Sequence, residues 1–179
     1  MLPDFVNVSR DLARKWTGGF RDGPGHRPAW KHPEDVVALV RQVPGLEPLA
    51  EAEAIAWAHD LIEDGRKSDD TPVAADDLRA AGLPESVVLG VVALTRIKSL
   101  PRAEYTQRVE RAPEVVRVVK CCDRIANLLE GSVTFKAGRW ARYVADTRQN
   151  VLPLLRGIRG PWSSWLRDRL EHAMLLRPV

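Results

Sequence analysis

The sequence predicts an all-α fold, and three features support this prediction. Apolar residues recur at the i, i+3, i+4 spacing of amphipathic helices along most of the chain. Strict alternation of apolar and polar residues, which would indicate strands, is nearly absent. There is no internal repeat, heptad array or low-complexity tract. Together these features favour a bundle of helices around one core.

The predicted helices are placed in order by their apolar spacing and their boundary residues. Pro33 is positioned like a proline in a first helical turn, and Asp76 and Pro84 stand at later helix starts. Glycine and proline crowd the segment 21–28, so it cannot be helical, and 65–72 is a second irregular connection. The helices are expected at about residues 4–18, 33–43, 47–64, 75–81, 84–95, 101–110, 113–130, 138–157 and 160–176.

The composition limits the class of protein. The 179 residues are enough for one sizeable core, and we expect a single domain over residues 1–179. The net charge of +3 is mild, and basic residues are interleaved with acidic ones, which suits an anionic small molecule but does not indicate a nucleic-acid partner. No apolar run reaches the ~20 residues of a membrane span, and the N-terminus lacks an apolar signal core. Cys121 and Cys122 are adjacent in an apolar segment, where an ordinary structural disulfide cannot form, so we expect a cytoplasmic protein.

The segment EAEAIAWAHDLIEDG, residues 51–65, places polar side chains at the end of a buried helix. Its middle is apolar on nearly every side, and His59, Asp60, Glu63 and Asp64 follow directly. Burying an imidazole and carboxylates is costly unless a cation, hydrogen bonds or solvent compensates them. On a continuous helix His59 would lie one turn before Glu63. Asp60 would likewise lie one turn before Asp64. We therefore expect a metal ion at His59 and Asp60, with the acidic pair beside bound substrate.

Further metal ligands must come from elsewhere in the chain, because two residues do not hold a divalent ion tightly. His32 stands at the start of a predicted helix, and Asp123 is a carboxylate inside the otherwise apolar helix over 113–130. Asn127 follows Asp123 by four residues and shares its helix face. Two histidines and two aspartates form a mixed nitrogen and oxygen site suited to one manganese, ferrous iron or zinc ion.

Three motifs occur along the chain in this order: His32-Pro33, then His59-Asp60-Leu61-Ile62-Glu63-Asp64, then Lys120-Cys121-Cys122-Asp123-Arg124-Ile125-Ala126-Asn127-Leu128. They resemble the histidine before proline, the HDxxED and the later KLADxxxN of the hydrolase domain of the RelA/SpoT alarmone enzymes and their small stand-alone relatives. The resemblance runs from about residue 11 to about residue 150 and includes the segments LTRIKS and EYTQRV. It implies an HD-domain helical bundle of about eight helices around one metal site.

The resemblance also implies an activity and roles for individual residues. The expected reaction is removal of pyrophosphate from the 3′ position of guanosine tetraphosphate or pentaphosphate. Glu63 and Asp64 would orient or activate the attacking water, and Asn127 would touch the nucleotide. Manganese is the first-choice metal, with ferrous iron or zinc as alternatives. The implied metal ligands are His32, His59, Asp60 and Asp123.

Basic residues that could bind the substrate occur in two places. The family's base-contacting arginine precedes its histidine in an RKxGxPYxxHP stretch, and here Arg21 matches it best if two residues are inserted, while Arg27 could fill the same space. Asp22 replaces a basic residue of that stretch and Trp30 stands near its tyrosine, so the base preference stays open. A second cluster could contact phosphate or could simply be a solvated helix face. It consists of Lys136, Arg139 and Arg142. The chain has no room for the family's synthetase domain.

The site residues also have purely structural interpretations. His32 could cap a helix, and His59 with Asp60 could be a hydrogen-bonded helix end. The acidic pair after them could be a solvated helix terminus, and Asp123 could form an internal salt bridge with Arg124. The ordered motifs favour the metal site over these alternatives. The two remaining histidines, His26 and His172, are not expected to be ligands.

Two other functions stay open on the sequence. The same pocket could serve another phosphorylated nucleotide, such as NADPH or a nucleoside monophosphate. A non-catalytic module that binds a nucleotide or a partner could also retain the fold. The sequence does not decide the oligomeric state.

Overall fold

Proline stands immediately before most of the longer helices of this protein. A proline there removes no useful donor, because the first N–H groups of a helix have no acceptor within it. These prolines explain why the predicted starts at 84, 101 and 113 lie one residue before the observed ones. The prolines at the N-caps are Pro3, Pro48, Pro84, Pro101, Pro113 and Pro161.

The structure, a computed structural model, describes residues 3–21, 27–158 and 160–176. Within these ranges the regular structure is helical, and β-pairing is limited to two isolated bridges. The predicted all-α fold is therefore confirmed. The α-helices are α1 (Asp4–Trp16), α2 (Lys31–Val40), α3 (Leu49–Ala58), α4 (Leu61–Asp64), α5 (Ala75–Ala80), α6 (Glu85–Leu94), α7 (Arg102–Arg111), α8 (Glu114–Thr134), α9 (Ala137–Asp146) and α10 (Trp162–Leu175). A π-helical segment, Thr147–Val151, and a 3-10 helix, Leu152–Leu155, lie between α9 and α10.

Helix α3 forms the centre of the core because it is buried all the way round. Every residue from Ala52 to Ala58 is buried. Helices α1, α2, α6 and α8 pack around it. Gly90 of α6 permits a close approach, since a Cβ at this position would lie 2.7 Å from Cδ1 of Ile55. The long helix α8 also packs against α2 and α10, so it ties the two halves of the chain together.

Two expectations drawn from composition concern the cysteines and membrane spans. Cys121 and Cys122 are both buried in α8 and are not in a disulfide. Among the described residues, no helix combines the length and apolar character needed to cross a bilayer.

The helix predicted over residues 47–64 is interrupted. Helix α3 ends at Ala58, and a turn formed by His59 and Asp60 separates it from the single turn α4. The imidazole Nδ1 of His59 donates to the carbonyl oxygen of Ala56 at 2.7 Å, so this side chain bonds to the backbone at the helix end. In contrast to the prediction, the acids of α4 do not continue one regular helix with the two residues before them.

The helix predicted over residues 138–157 is also interrupted. Helix α9 ends at Asp146, and the π-helical and 3-10 segments follow, with Pro153 in the latter. Proline has no N–H, and its ring clashes with the carbonyl group four residues earlier, so a regular α-helix does not continue through it. At the break Asn150 donates to Asp146 at 2.8 Å, which fixes the Asp146 carboxylate beside α8.

The salt bridge between the exposed Arg41 and the buried Glu53 leads to a stability prediction. Glu53 of α3 is a buried carboxylate, and Arg41 donates to both of its oxygens at 3.0 and 2.7 Å. Arg41→Met should lower the free energy of unfolding by ~1–3 kcal/mol, because Glu53 would stay buried without its partner. Arg10→Met is the matched control, since its partner Asp11 is exposed, and it should change stability by less than ~0.5 kcal/mol. Urea unfolding measures both, and equal stabilities would contradict the prediction.

Candidate metal centre and adjoining pocket

Three buried side chains from different parts of the chain meet at one point. They are His32 in the first turn of α2, His59 after α3 and Asp123 in the middle of α8. One nitrogen or oxygen atom from each lies within 4.8 Å of the others. Oδ1 of Asp123 is 3.1 Å from Nε2 of His32 and 3.7 Å from Nε2 of His59. This buried cluster unites three of the four residues that the motifs predict as metal ligands.

Asp60, the fourth of these residues, borders the buried cluster. Its Oδ2 lies 3.2 Å from Nε2 of His59 and 3.9 Å from Nε2 of His32. The Asp60 side chain is 33% exposed, whereas the other three are buried. Asp60 therefore lies on the solvent side of the cluster, where a water or a substrate atom can approach.

The surroundings of His59 suit metal binding. The Ala56 carbonyl oxygen can only accept a hydrogen bond, so Nδ1 of His59 carries the proton. In the neutral ring Nε2 then carries the lone pair, and this buried atom has no hydrogen-bond partner among the described residues. Burial disfavours the charged imidazole, but Asp60 and Asp123 outweigh it and raise the pKa of His59 to about 9. A divalent cation would take the place of the proton that the charged ring carries on Nε2 and would satisfy Nε2 and both carboxylates, so the residues present fit a metal ion.

Two neighbours on α8 fix the orientation of Asp123. Lys120 donates to its Oδ2 at 2.7 Å, and Asn127 donates to its Oδ1 at 2.5 Å. Burial alone would raise the pKa of Asp123, but Lys120 and the two histidines lower it well below its ordinary value. Sequence reasoning assigned no role to Lys120, although its position three residues before Asp123 puts both on one helix face.

The internal salt bridge of Asp123 is formed with Lys120 and not, as the structural alternative supposes, with Arg124. Arg124 instead pairs with Asp146, to which its Nη2 donates at 2.7 Å. Its guanidinium group also lies 4.3 Å from the ring centroid of Tyr143. The charge of Asp123 is therefore compensated by Lys120 and the cluster itself.

The Lys120 contact leads to a prediction about metal affinity. Lys120→Met should weaken metal binding about 10–100-fold, because groups that orient a metal ligand typically contribute that much. Lys67→Met removes the same charge from a pair with Asp77 and should leave the affinity unchanged. Competition against a chelator of known affinity measures both variants. If the two bind metal equally well, Lys120 does not support the site.

The two predicted catalytic acids have different surroundings. Glu63 is half-buried, and its Oε2 accepts from the backbone N–H of Arg96 at 3.0 Å. Burial raises the pKa of Glu63 above its ordinary value, which makes its carboxylate a stronger base. Asp64 is exposed. Neither acid belongs to the buried cluster of His32, His59 and Asp123.

The segment after α6, whose backbone amide contacts Glu63, is held by side chains of α7. Arg108 donates to the carbonyl oxygens of Ala93 and Thr95. The hydroxyl group of Tyr105 donates to the carbonyl oxygen of the residue between them, at 3.1 Å. These carbonyl oxygens lie at the C-terminal end of a helix, where no N–H group of the helix donates to them. Sequence reasoning missed both residues, because their contacts cross from one helix to the next.

A pocket of about 470 Å³ lies between α2 and α8, and Arg21 forms part of its wall. The Nη2 of Arg21 donates to Oδ1 of Asn127 at 2.7 Å, and its Nε donates to Oε2 of Glu130 at 2.7 Å. Because Asn127 also bonds to Asp123, the pocket adjoins the buried cluster through this one side chain. Glu130 was not among the predicted site residues.

Of the other predicted substrate-binding residues, one lines the pocket and two are exposed on α9. Arg27 lines the same pocket and pairs with Asp35 at 2.8 Å. Lys136 and Arg142 are exposed, at the start and the middle of α9. His172 is exposed on α10 and takes no part in the cluster. The remaining predictions for this region, on Asp22 and His26, lie outside the described residues.

Comparisons with known proteins agree with this fold. No protein-family model matches the sequence, and a search of curated proteins returns no match. Solved structures do match, in 16 chains. One is described as a metazoan ortholog of SpoT that hydrolyzes ppGpp and plays a role in starvation responses. It superposes with a TM-score of 0.73 at 21% sequence identity, over 96% of each chain. The resemblance predicted from the motifs is therefore confirmed at the level of the fold.

Proposed function

We propose that this protein is a metal-dependent phosphohydrolase that removes pyrophosphate from the 3′ position of guanosine tetraphosphate or pentaphosphate. The observation that carries the proposal is the environment of His59. Its Nδ1 is fixed to Ala56, and its buried Nε2 faces two carboxylates with no hydrogen-bond partner among the described residues. The likeness in fold to a ppGpp hydrolase supports the choice of substrate.

In this proposal the buried cluster binds the metal ion, and a neighbouring residue orients one of the ligands. His32, His59, Asp60 and Asp123 would hold one divalent ion. This nitrogen and oxygen donor set suits manganese, ferrous iron or zinc, and the resemblance to the alarmone hydrolases makes manganese the first choice. Such an ion lowers the pKa of bound water and polarises a phosphoryl oxygen. Lys120 keeps the Asp123 carboxylate oriented.

Glu63 and Asp64 would orient the attacking water and take its proton. Water attacks the phosphorus bonded to the ribose 3′ oxygen, and the bond from phosphorus to that oxygen breaks. Pyrophosphate leaves, and the 3′ oxygen gains a proton. The half-buried Glu63 is the better base of the two, because its raised pKa favours proton transfer and the Arg96 amide fixes one of its oxygens.

The pocket between α2 and α8 would hold the rest of the nucleotide. It adjoins the cluster through Asn127, so a nucleotide with its 3′ phosphates at the cluster can extend its base into the pocket. About 470 Å³ is in the range of small-molecule sites. Arg21 lies at the junction, where it is held by Asn127 and Glu130 and would contact the bound nucleotide.

A release assay over a panel of nucleotides tests the proposal. The manganese-loaded protein is incubated with guanosine tetraphosphate, NADPH and nucleoside monophosphates, and phosphate and pyrophosphate are measured separately. We expect metal-dependent pyrophosphate release from guanosine tetraphosphate. Release of phosphate only, from NADPH or a monophosphate, would assign the same site to another substrate. No release from any nucleotide would favour a non-catalytic binding module.

A further inference from the structure

Glu130 occupies a position that the metal chemistry does not explain. It follows Asp123 and Asn127 on one face of α8, at the spacing i, i+4, i+7. Asp123 belongs to the buried cluster, Asn127 bridges to Arg21, and Glu130 lines the pocket. This face of α8 therefore leads from the cluster directly into the pocket, and its last member is a carboxylate with a side chain only 16% exposed.

The rest of the pocket wall suits a flat, largely apolar ring. The apolar residues of the wall come from both facing helices, and six polar residues complete the lining: Arg21, Arg27, Asp35, Gln42, Glu130 and Thr134. A ring bound between such walls is recognised by the few polar groups at its edge. The apolar lining residues are Ala38, Leu39, Ala126, Leu129 and Val133.

The hydrogen-bonding capacity of Glu130 is only partly used. Arg21 approaches Oε2 with both Nε and Nη2, each at 2.7 Å. Among the described residues no side chain bonds to Oε1, and an ionised carboxylate has about four acceptor positions in all. The ion pair with Arg21 holds the group in place, and it remains a pure acceptor toward anything bound in the pocket.

We infer that Glu130 is the residue that selects the base, and that it favours guanine. This inference rests on the proposed function, because it needs a nucleotide with phosphates at the buried cluster. The Watson–Crick edge of guanine presents two neighbouring donors, N1–H and the N2 amino group, which match a carboxylate. Adenine presents an acceptor, N1, at the corresponding place, and hypoxanthine lacks the amino group. A carboxylate therefore attracts guanine most, hypoxanthine less and adenine least.

The test compares kcat/KM for the 3′,5′-bis(diphosphates) of guanosine, inosine and adenosine. The wild-type protein should prefer guanosine over adenosine ~100-fold or more, with inosine between them. Glu130→Gln keeps the size but offers one donor and one acceptor, so the preference should fall to about tenfold or less. Glu85→Gln breaks a comparable carboxylate pair with Arg79 outside the pocket and should keep the wild-type preference.

Arg21→Ala separates a direct role of Glu130 from one that acts through its arginine. This variant keeps the carboxylate, so it should raise KM for guanosine and adenosine substrates alike and retain most of the preference. If Glu130→Gln keeps the wild-type preference for guanosine, the carboxylate is not the selecting group. Equal rates with guanosine and adenosine substrates in the wild-type protein would also overturn the inference, while leaving the proposed hydrolysis intact.

Binding measurements keep the two proposals distinguishable if no turnover is observed. Titration calorimetry with GDP and ADP does not depend on catalysis. If GDP binds more strongly than ADP and this difference disappears in Glu130→Gln, the role of Glu130 is supported. Only the proposed hydrolase activity is then rejected. Equal binding of GDP and ADP by an inactive protein would reject both.

Discussion

Asp123→Ala should purify without its metal ion and should gain no thermal stability when manganese is added. Asp123 is the carboxylate that both histidines of the cluster approach, at 3.1 and 3.7 Å from its Oδ1. Without it, His32 and His59 would retain only the partly exposed Asp60 as an oxygen donor. A ligand that binds only the folded state stabilises it by ~2.7 kcal/mol at a concentration a hundredfold above its dissociation constant. The wild-type melting temperature should therefore rise with manganese, and that of the variant should not.

Metal analysis by mass spectrometry and thermal melts with and without manganese measure this effect. Asp123→Asn is the companion variant, because it keeps the size of the side chain and removes the charge that attracts the ion. Asp76→Ala controls for loss of a carboxylate elsewhere, since Asp76 is exposed and pairs with Arg79 in its own helix. Full metal occupancy in purified Asp123→Ala would show that the ion binds at another place.

Glu63→Gln should lower kcat by ~10²–10⁴-fold while metal content and substrate affinity stay nearly unchanged, as for other general bases. Glutamine has the same length and can still accept from the Arg96 amide, so the local structure should persist. The change removes the ability to take a proton. Asp64→Asn should act in the same direction. If both acids serve one water molecule, the double variant should be much less than multiplicatively worse.

The structural alternative predicts the opposite outcome for this acidic pair. If the two acids only form a solvated helix end, each substitution should change stability by no more than ~0.5 kcal/mol and leave turnover intact. Steady-state kinetics on the metal-loaded variants decides between the two. A Glu63→Gln, Asp64→Asn protein that hydrolyses guanosine tetraphosphate at the wild-type rate would exclude proton transfer by these residues.

The sequence was sufficient for the fold class and for the members of the buried cluster. Apolar spacing defines the helices because burial of one helix face dominates their packing. His59 and Asp123 could be named because each is a polar residue in an apolar setting, and such residues require a compensating partner. His32 could be named from its place at a helix start and in the ordered motifs. These three side chains come together because α2, α3 and α8 pack against one another.

Features that depend on contacts between distant residues could not be predicted. The turn at His59 arises where its side chain bonds to the backbone of Ala56, and an apolar pattern does not distinguish this from a continuing helix. The pairing of Arg21 with Glu130 joins residues 109 positions apart, so neither residue signals the other locally. The π-helical segment before Pro153 was in principle accessible, because a proline inside a predicted helix indicates a break.

The most direct test of the proposed function is identification of the products from guanosine 3′,5′-bis(diphosphate). The manganese-loaded wild-type protein and Asp123→Ala are incubated with this nucleotide, and the mixtures are separated by ion-exchange chromatography. We expect GDP and pyrophosphate in equal amounts from the wild-type protein and neither product from the variant. Intact nucleotide after prolonged incubation with folded, fully metal-loaded wild-type protein would contradict the assignment of this site as an alarmone hydrolase.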